Sequence, residues 1–350
     1  MGRSRTRFPN PGQLAAALAG AAAALLGCGS AHANAPMNYL QSFGPKAHAI
    51  ANLTWALLIL SILVVIIISA AVLVGILRRR ALPPGNEVRL EPISHGSGSG
   101  VLWLYIGVGL STLALFGAMV WTGYTMAATH RPPRDPKLTI EIIGHQWWWQ
   151  VRYLSPDNSR VFDTANEIHI PVGEPVQFNV RTQDVIHSFW VPSIGDKLDL
   201  IPNQTNVTWL EASQPGTYRG QCAEFCGLQH AHMGLLVVAD QPADFEHWWD
   251  DQLKPAAASP QTGVGEALFT VRCGACHTVR GTRAGGRLGP DLTHLMSRQT
   301  IAAATLPNKI AYLSGWISDP QRIKPGNLMP TLGISGPELA YIRDFLAGLK

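Results

Sequence analysis

The sequence predicts a multidomain chain: a two-helix transmembrane hairpin, an all-β Greek-key sandwich and an all-α C-terminal domain. Three observations predict it. Two long runs near the N-terminus carry no charged residue, short β-type runs separated by turn residues fill 138–239, and a Cys-x-x-Cys-His motif sits at 273–277 beyond a Pro/Ala-rich segment. Charged residues are only 14% of the chain, low for a soluble protein, and the deficit lies in the first third. Lys and Arg number 27 against 23 Asp and Glu, a net +4 too weak to suggest a nucleic-acid partner. A chain of 350 residues has room for two modest globular domains beside membrane segments.

Residues 1–33 read as an export signal. Arg3, Arg5 and Arg7 give a positive start, Leu14 to Leu26 an apolar core, and Ala31-His-Ala33 a small-x-small cleavage site. A lipoprotein signal ending at Cys28 competes, but Leu26 is unusual in a lipobox, which favours cleavage after Ala33. Either route starts the mature chain outside the cytoplasm. Residues 34–129 then form the anchor in the lipid bilayer. Leu53 to Leu77 is uncharged and long enough for a helix to cross the hydrocarbon core, which takes about 20 residues. Arg78-Arg79-Arg80 marks its cytoplasmic end. Pro83 to Gly100 is a polar, Gly-rich cytoplasmic turn, and Val101 to Met126 is the second span. Everything after about Thr129 is therefore extracytoplasmic.

Residues 130–250 carry the β pattern, with Thr139–Ile143, Glu167–Val172, Pro175–Val180, Val207–Glu211 and Gly234–Val238 as strands. Their spacing fits a Greek-key sandwich of cupredoxin type. Alternation along a strand would put Trp147 and Trp149 on one face and Trp148 on the other, at least one of them as plain core. Between late strands lies Gln221-Cys-Ala-Glu-Phe-Cys-Gly-Leu-Gln-His-Ala-His-Met233. Two thiolates, an imidazole and a thioether are soft or borderline ligands and select copper over magnesium or calcium. A mononuclear blue-copper loop would offer one Cys. Cys222 and Cys226 can bridge two copper ions, each needing its own imidazole. His230 supplies one, and His187, in Asp184-Val-Ile-His-Ser-Phe-Trp-Val-Pro192, is the best candidate for the other. Met233 would sit axially on one copper, and the backbone carbonyl of Glu224 could reach the second. A Cys222–Cys226 disulfide is the bland alternative. His230 and Met233 at these offsets weigh against it.

Residues 251–263, with Lys254-Pro-Ala-Ala-Ala-Ser-Pro260, read as a Pro/Ala linker that tethers rather than rigidly fuses a domain at 264–350. Cys273-Gly-Ala-Cys276-His277 is the c-type haem attachment signature. The two thiols add to haem vinyls and His277 is placed to bind iron. A thioredoxin-like pair or half a zinc site would not need the adjoining His, and no second Cys pair follows. Met329, in Asn327-Leu-Met-Pro330, is the expected sixth ligand, with Met296 its competitor. Met/His ligation raises the haem potential. Of the five Cys, one lies in the leader and the other four in these two motifs, so none remains for a structural disulfide.

Cys-x-Glu-x-Cys-x-x-x-His-x-x-Met, Asp184-Val-Ile-His-Ser188, Gly144-His-Gln-Trp-Trp-Trp149 and Lys197-Leu-Asp-Leu-Ile-Pro202 together resemble cytochrome c oxidase subunit II, over about residues 45 to 253. Residues from about 262 onward resemble a class I cytochrome c, which implies Gly265–Val271 and Gly336–Leu349 as its terminal packing helices, with Pro290 like the proline whose carbonyl accepts the hydrogen bond of the ligating His. The combination resembles subunit II of caa-type oxidases. That resemblance implies a dinuclear copper A centre on His187, Cys222, Glu224, Cys226, His230 and Met233, and one covalent haem c on Cys273, Cys276, His277 and Met329. It implies that Trp147 lies near the copper where electrons come in, and that the Glu224 side chain binds magnesium or manganese at the border with subunit I. The implied partners are subunit I with haem a and copper B, subunit III, and cytochrome c or a respiratory complex as donor. The implied setting is a bacterial inner membrane, with oxygen reduced to water in subunit I and protons translocated. The family often places a carboxylate just before the second span. Here that position reads Gly98-Ser-Gly-Val-Leu-Trp103, and Glu87 and Glu91 lie too far upstream to take its place. A nitric oxide reductase subunit would share nearly every feature. A tethered electron shuttle without an oxidase is a further rival, whereas a quinol oxidase subunit lacks the copper ligands that are complete here.

Overall fold

The computed structural model describes residues 37–77, 99–256 and 263–350. The export signal, Cys28, the Arg78–Arg80 cluster, Glu87, Glu91 and the middle of the Pro/Ala linker lie outside the described residues.

Two long helices come first, α1 (Pro45–Leu77) and α2 (Ser99–His130). Ile62, Val65 and Ile67 of α1, and Leu104, Leu113 and Phe116 of α2, expose more than two fifths of their surface. Apolar side chains presented all round a helix need an apolar solvent, and both helices are long enough to cross a membrane. At 33 residues, α1 spans about 50 Å, more than the hydrocarbon core requires. It starts eight residues before the apolar run predicts, because its first turn belongs to the sandwich rather than to lipid. Lys46 is buried there, with Nζ 2.6 Å from Asp196 Oδ1 and 2.6 Å from Thr208 Oγ1, and it lies over the Trp209 ring. The Trp209 indole N–H donates to the carbonyl of Thr129 near the end of α2, 2.9 Å away. One tryptophan thus anchors both helices to the domain above the membrane.

The β domain is two five-stranded sheets. Its strands are β1 (Leu138–His145), β2 (Trp148–Leu154), β3 (Phe162–Ala165), β4 (Glu167–Pro171), β5 (Val176–Thr182), β6 (His187–Trp190), β7 (Lys197–Leu200), β8 (Asn206–Leu210), β9 (Gly216–Cys222) and β10 (Gly234–Asp240). One sheet has the order β3-β2-β1-β5-β8 and the other β4-β10-β9-β6-β7, with β1·β5 and β4·β10 parallel. The alternating burial of β2 and β5 follows the pleat. Trp149, Tyr153, Phe178 and Phe189 are fully buried between the sheets, each contributing about 1.5–3 kcal/mol by burial. This is the expected cupredoxin-like sandwich.

Two readings of the sequence give way. Trp147 is not in a strand: β1 closes at His145, β2 opens at Trp148, and Trp147 lies in the connection. Long-range partners hold that turn, since the Gln146 N–H donates to Asp184 Oδ2 at 2.7 Å and the Trp147 indole to the Cys226 carbonyl at 3.0 Å. Residues 250–253 are helical, ending α3 (Pro242–Leu253). Phe245, Trp248 and Trp249 fall at the i, i+3, i+4 spacing of one helix face, and the Trp249 ring packs edge-on to Tyr153 and Phe162.

The C-terminal domain contains α4 (Gly263–Arg272), a ribbon of β11 (Thr300–Ile301) and β12 (Leu306–Pro307), α5 (Ile310–Ser318), α6 (Pro320–Ile323) and α7 (Gly336–Ala347). The expected terminal helices α4 and α7 pack through Phe269 and Phe345, with ring centroids 5.4 Å apart. A capping box formed by Ser335 and Glu338 starts α7. Ala302, Ala303 and Ala304, between β11 and β12, all have positive φ, a conformation costing an L-residue roughly 1–2 kcal/mol.

Candidate functional site

At one end of the sandwich, three elements bring soft donors together. Strand β9 ends at Cys222, and the loop returning to β10 carries Glu224, Cys226, His230 and Met233. Strand β6 pairs with β9 so that Phe189 lies opposite Cys222, which carries His187 to the same end. The two Sγ atoms are 3.8 Å apart. His187 Nδ1 is 3.8 Å from Cys222 Sγ, His230 Nδ1 is 3.6 Å from Cys226 Sγ, and Met233 Sδ is 3.8 Å from Cys226 Sγ. The Glu224 carbonyl lies 3.2 Å from Cys222 Sγ while its side chain is exposed. His187, Cys222, Cys226 and Met233 are buried.

The electrostatics of this cluster fit a cation. The hydrogen bond with Cys226 pulls the Cys222 thiol down against burial, with His187 helping, whereas that neighbouring thiolate and burial push Cys226 up. Two thiolates at this distance repel unless positive charge lies between them, and a bound metal deprotonates such thiols outright. Burial works against protonating His187, but its hydrogen bonds to the Asp184 carboxylate and to the Cys222 sulfur outweigh burial and raise its pKa. Its Nε2 faces Asp184 Oδ1 at 2.8 Å. That leaves Nδ1 toward the sulfurs, and a carboxylate on the far nitrogen is how ligating imidazoles are oriented. Gly144 makes room for the ring, since a Cβ there would lie 2.7 Å from His187 Cδ2.

Trp147, 8% exposed, sits beside this loop. Its indole and the Gln146 amide both donate to the Cys226 carbonyl, at 3.0 and 2.8 Å. Trp149, the buried core residue, donates to the Met233 carbonyl at 3.3 Å. Trp148 turns the other way and stacks on His145.

In the C-terminal domain, Cys273, Cys276 and His277 form a turn directly after α4, with the His277 N–H donating to the Cys273 carbonyl at 3.0 Å. His277 Nδ1 lies 2.9 Å from the Pro290 carbonyl. A carbonyl only accepts, so Nδ1 holds the proton and Nε2 is left for a metal. Burial pushes the His277 pKa down, keeping the ring neutral as a ligand must be, and pushes the Cys273 thiol up to about 11. A Cβ at Gly289 would meet His277 Cε1 at 2.6 Å. Leu288, next to Gly289, and Leu328, next to Met329, are 76% and 80% exposed. The Met329 loop is pinned: Gln321 Nε2 donates to the carbonyls of Asn327 and Met329, both at 2.7 Å, and Asn327 Oδ1 accepts from the Met329 N–H at 2.8 Å. Met296 lies instead in a short 3-10 turn, packed against the helical core, with its N–H bonded to the Leu349 carbonyl at 2.7 Å.

Residues 152–240 match the cytochrome c oxidase subunit II periplasmic domain, and residues 264–350 match the cytochrome c family. The chain is 34% identical to cytochrome c oxidase subunit 2 of Alkalihalophilus pseudofirmus over 303 residues, 84% of this chain and 86% of the relative. The chain belongs to the cytochrome c oxidase subunit II family. It is 30% identical over 285 residues to the subunit 2 of Bacillus sp. strain PS3, covering 76% of this chain and 78% of that one. The crystal structure of the periplasmic domain of subunit II from Bradyrhizobium japonicum is 34% identical, covering 34% of this chain and 95% of that chain, with a TM-score of 0.32.

As a subunit II fused to a cytochrome c domain, the protein is part of an oxidoreductase complex, anchored in a membrane with its globular domains on the periplasmic side. A subunit II domain and a cytochrome c domain imply copper and haem binding. The sequence assigned no individual role to Gln146, Gly144, Gln321 or Lys324. For Gly144 the signal was present, since a glycine inside a strand pattern marks close approach by another group. Lys324 had no local signal: burial pushes its ammonium down to about 7, and its Nζ donates to the Trp147 carbonyl 2.8 Å away in the other domain.

Proposed function

We propose that this chain is the electron-input subunit of a proton-translocating oxidase that reduces oxygen to water. It takes electrons from a cytochrome or respiratory complex at its C-terminal domain and hands them through the sandwich to subunit I, which holds haem a and copper B, with subunit III in the same bacterial inner-membrane complex. The single observation that carries this is the convergence of His187, Cys222, Cys226, His230 and Met233 within contact distance at one buried end of the sandwich.

In this reading Cys222, Cys226, His187, His230, Met233 and the Glu224 carbonyl would hold a copper pair. Cys273 and Cys276 would attach a haem c, and His277 and Met329 would be the ligands offered to its iron. The exposed carboxylate of Glu224 serves a magnesium or manganese ion at the subunit I border. When bound, the two centres supply one-electron redox chemistry. The chain's own residues supply fixed geometry: Asp184 orients His187, Pro290 fixes the His277 tautomer, and Trp147 joins the copper loop to the haem domain through its indole and its carbonyl. A rigid sandwich and a pinned Met329 loop leave little to rearrange at each transfer. The working parts are an export signal at 1–33, an anchor at 34–129, the copper domain from 130 to the end of α3 at Leu253, a linker from there to 263, and the haem domain at 264–350.

The test is gas consumption by the intact complex, purified through a tag on this chain and fed reduced cytochrome c. Rapid oxygen uptake without nitric oxide turnover is expected. Nitric oxide consumption with little oxygen uptake would reassign the complex to nitric oxide reduction. A preparation with neither activity and no partner subunit would make the chain a tethered shuttle.

A further inference from the structure

The face of the sandwich that carries the Cys222–Met233 loop is covered by two separate stretches of the haem domain. The first is the turn between β11 and β12. Ala302, Ala303 and Ala304 have φ of 54°, 59° and 55°, and alanines persist in this region only where surrounding contacts over-determine it. Here every carbonyl of the turn is engaged. Ala303 accepts from the Gly234 N–H at 3.0 Å, Ala304 from Arg219 Nη1 at 3.2 Å, and Ala302 from Lys324 Nζ at 3.3 Å. The Thr305 hydroxyl closes the turn by donating to the Ala302 carbonyl at 2.6 Å, and lies 3.4 Å from the His232 carbonyl. Gly234 and His232 flank Met233, so the turn grips the end of the metal-site loop itself. Just before it, the Gln299 N–H donates to Glu167 Oε2 at 2.8 Å.

The second stretch is Lys324-Pro-Gly326, five residues ahead of Met329. Lys324 is 3% exposed, and among the described residues no carboxylate pairs with it. Its ammonium is spent on two carbonyls, those of Trp147 and Ala302, one in each domain. A buried cation without a counter-ion is costly unless its donors are satisfied, and these acceptors come together only when the domains are docked. Gln229 Nε2 adds a bond to the Pro325 carbonyl at 2.8 Å.

We infer that Gln299–Thr305 and Lys324–Gly326 form a latch, with Lys324 as its positioning residue, that fastens the chain's own haem domain over Trp147 and keeps free proteins off this face. The latch rests on the function proposed above for its purpose, but its existence is measured independently of either cofactor. It also alters the expectation of a loosely tethered donor: the part of the connection just after α3 is itself held against the haem domain. Arg280 Nη2 donates to the Gln252 carbonyl at 2.6 Å, and the Ala256 N–H to the Arg280 carbonyl at 2.9 Å.

The test compares the intact wild-type complex with Lys324→Met and Ala303→Val, the second adding a β-branch where φ is positive. Ala303→Gly, which suits the turn, is the control. Amide hydrogen exchange is read in peptides covering 232–238 and 299–307. Both segments are expected to be protected in the wild type and in Ala303→Gly, and to exchange about tenfold faster or more in the other two variants, while β1 and β5 stay unchanged. In the same samples, electron transfer from haem to copper after photochemical injection is expected to be independent of solvent viscosity in the wild type and to gain a slower, viscosity-dependent phase in Lys324→Met and Ala303→Val. Free-loop exchange at 299–307 in the wild type, or unchanged exchange in both variants, would overturn the latch. Missing copper or haem absorption in the wild type would overturn the functional reading instead, and the exchange data would still decide the latch.

Discussion

Replacing Cys222 or Cys226 with Ser should abolish the electron paramagnetic resonance signal of an electron shared between two copper nuclei. Oxygen uptake should fall beyond the roughly 10–100-fold that loss of a supporting residue costs a metal site. The two sulfurs are 3.8 Å apart, and each is also in contact with its own imidazole, His187 for Cys222 and His230 for Cys226. A bridge therefore needs both. A serine hydroxyl is harder than a thiolate and stays protonated at neutral pH, so it cannot take that place. The swap barely changes volume at these buried positions, and near-native circular dichroism should accompany the loss. The haem spectrum should not move, because its ligands lie in the other domain. An unchanged copper spectrum in either variant would contradict the bridge.

Met329→Ala should give a high-spin or ligand-exchanged haem with a lowered potential, since Met/His ligation raises it. Copper content and signal should be intact. The loop carrying Met329 is fixed on both sides of the residue by Gln321 and Asn327, so its backbone holds when the side chain is cut. Met296→Ala is the complementary variant. Its side chain packs against the helical core, so it should lose about 2 kcal/mol of domain stability and keep a low-spin spectrum. A normal low-spin spectrum in Met329→Ala, with a changed one in Met296→Ala, would move the ligand to Met296.

The metal-site loop was legible because four of its donors lie within twelve residues, so their chemistry shows before any folding is considered. His187 was reachable through the motif around it, although only the pairing of β6 with β9 explains how it arrives. The haem turn was legible for the same local reason, and the hydrogen bond from His277 to Pro290 appears where it was expected. What stayed hidden is non-local or backbone-encoded. Trp147 reads as a strand residue by alternation, yet its turn is set by Asp184 and Cys226, far away in sequence. The helix across 250–253 is obscured in the sequence by the Pro/Ala segment that follows it, although Phe245, Trp248 and Trp249 fall on one helix face. Three alanines in the left-handed region have no sequence signature at all, since their conformation is imposed by what they dock against. Lys324 looks like any solvated lysine until its two carbonyl acceptors are seen.

The measurement that tests the central claim most directly is anaerobic stopped-flow mixing of the oxidised complex with a reduced soluble c-type cytochrome, following the haem band and the near-infrared copper band together. The haem is expected to be reduced first, with copper following it at a rate independent of donor concentration. Copper reduction that precedes the haem, or that tracks donor concentration while the haem stays oxidised, would contradict it.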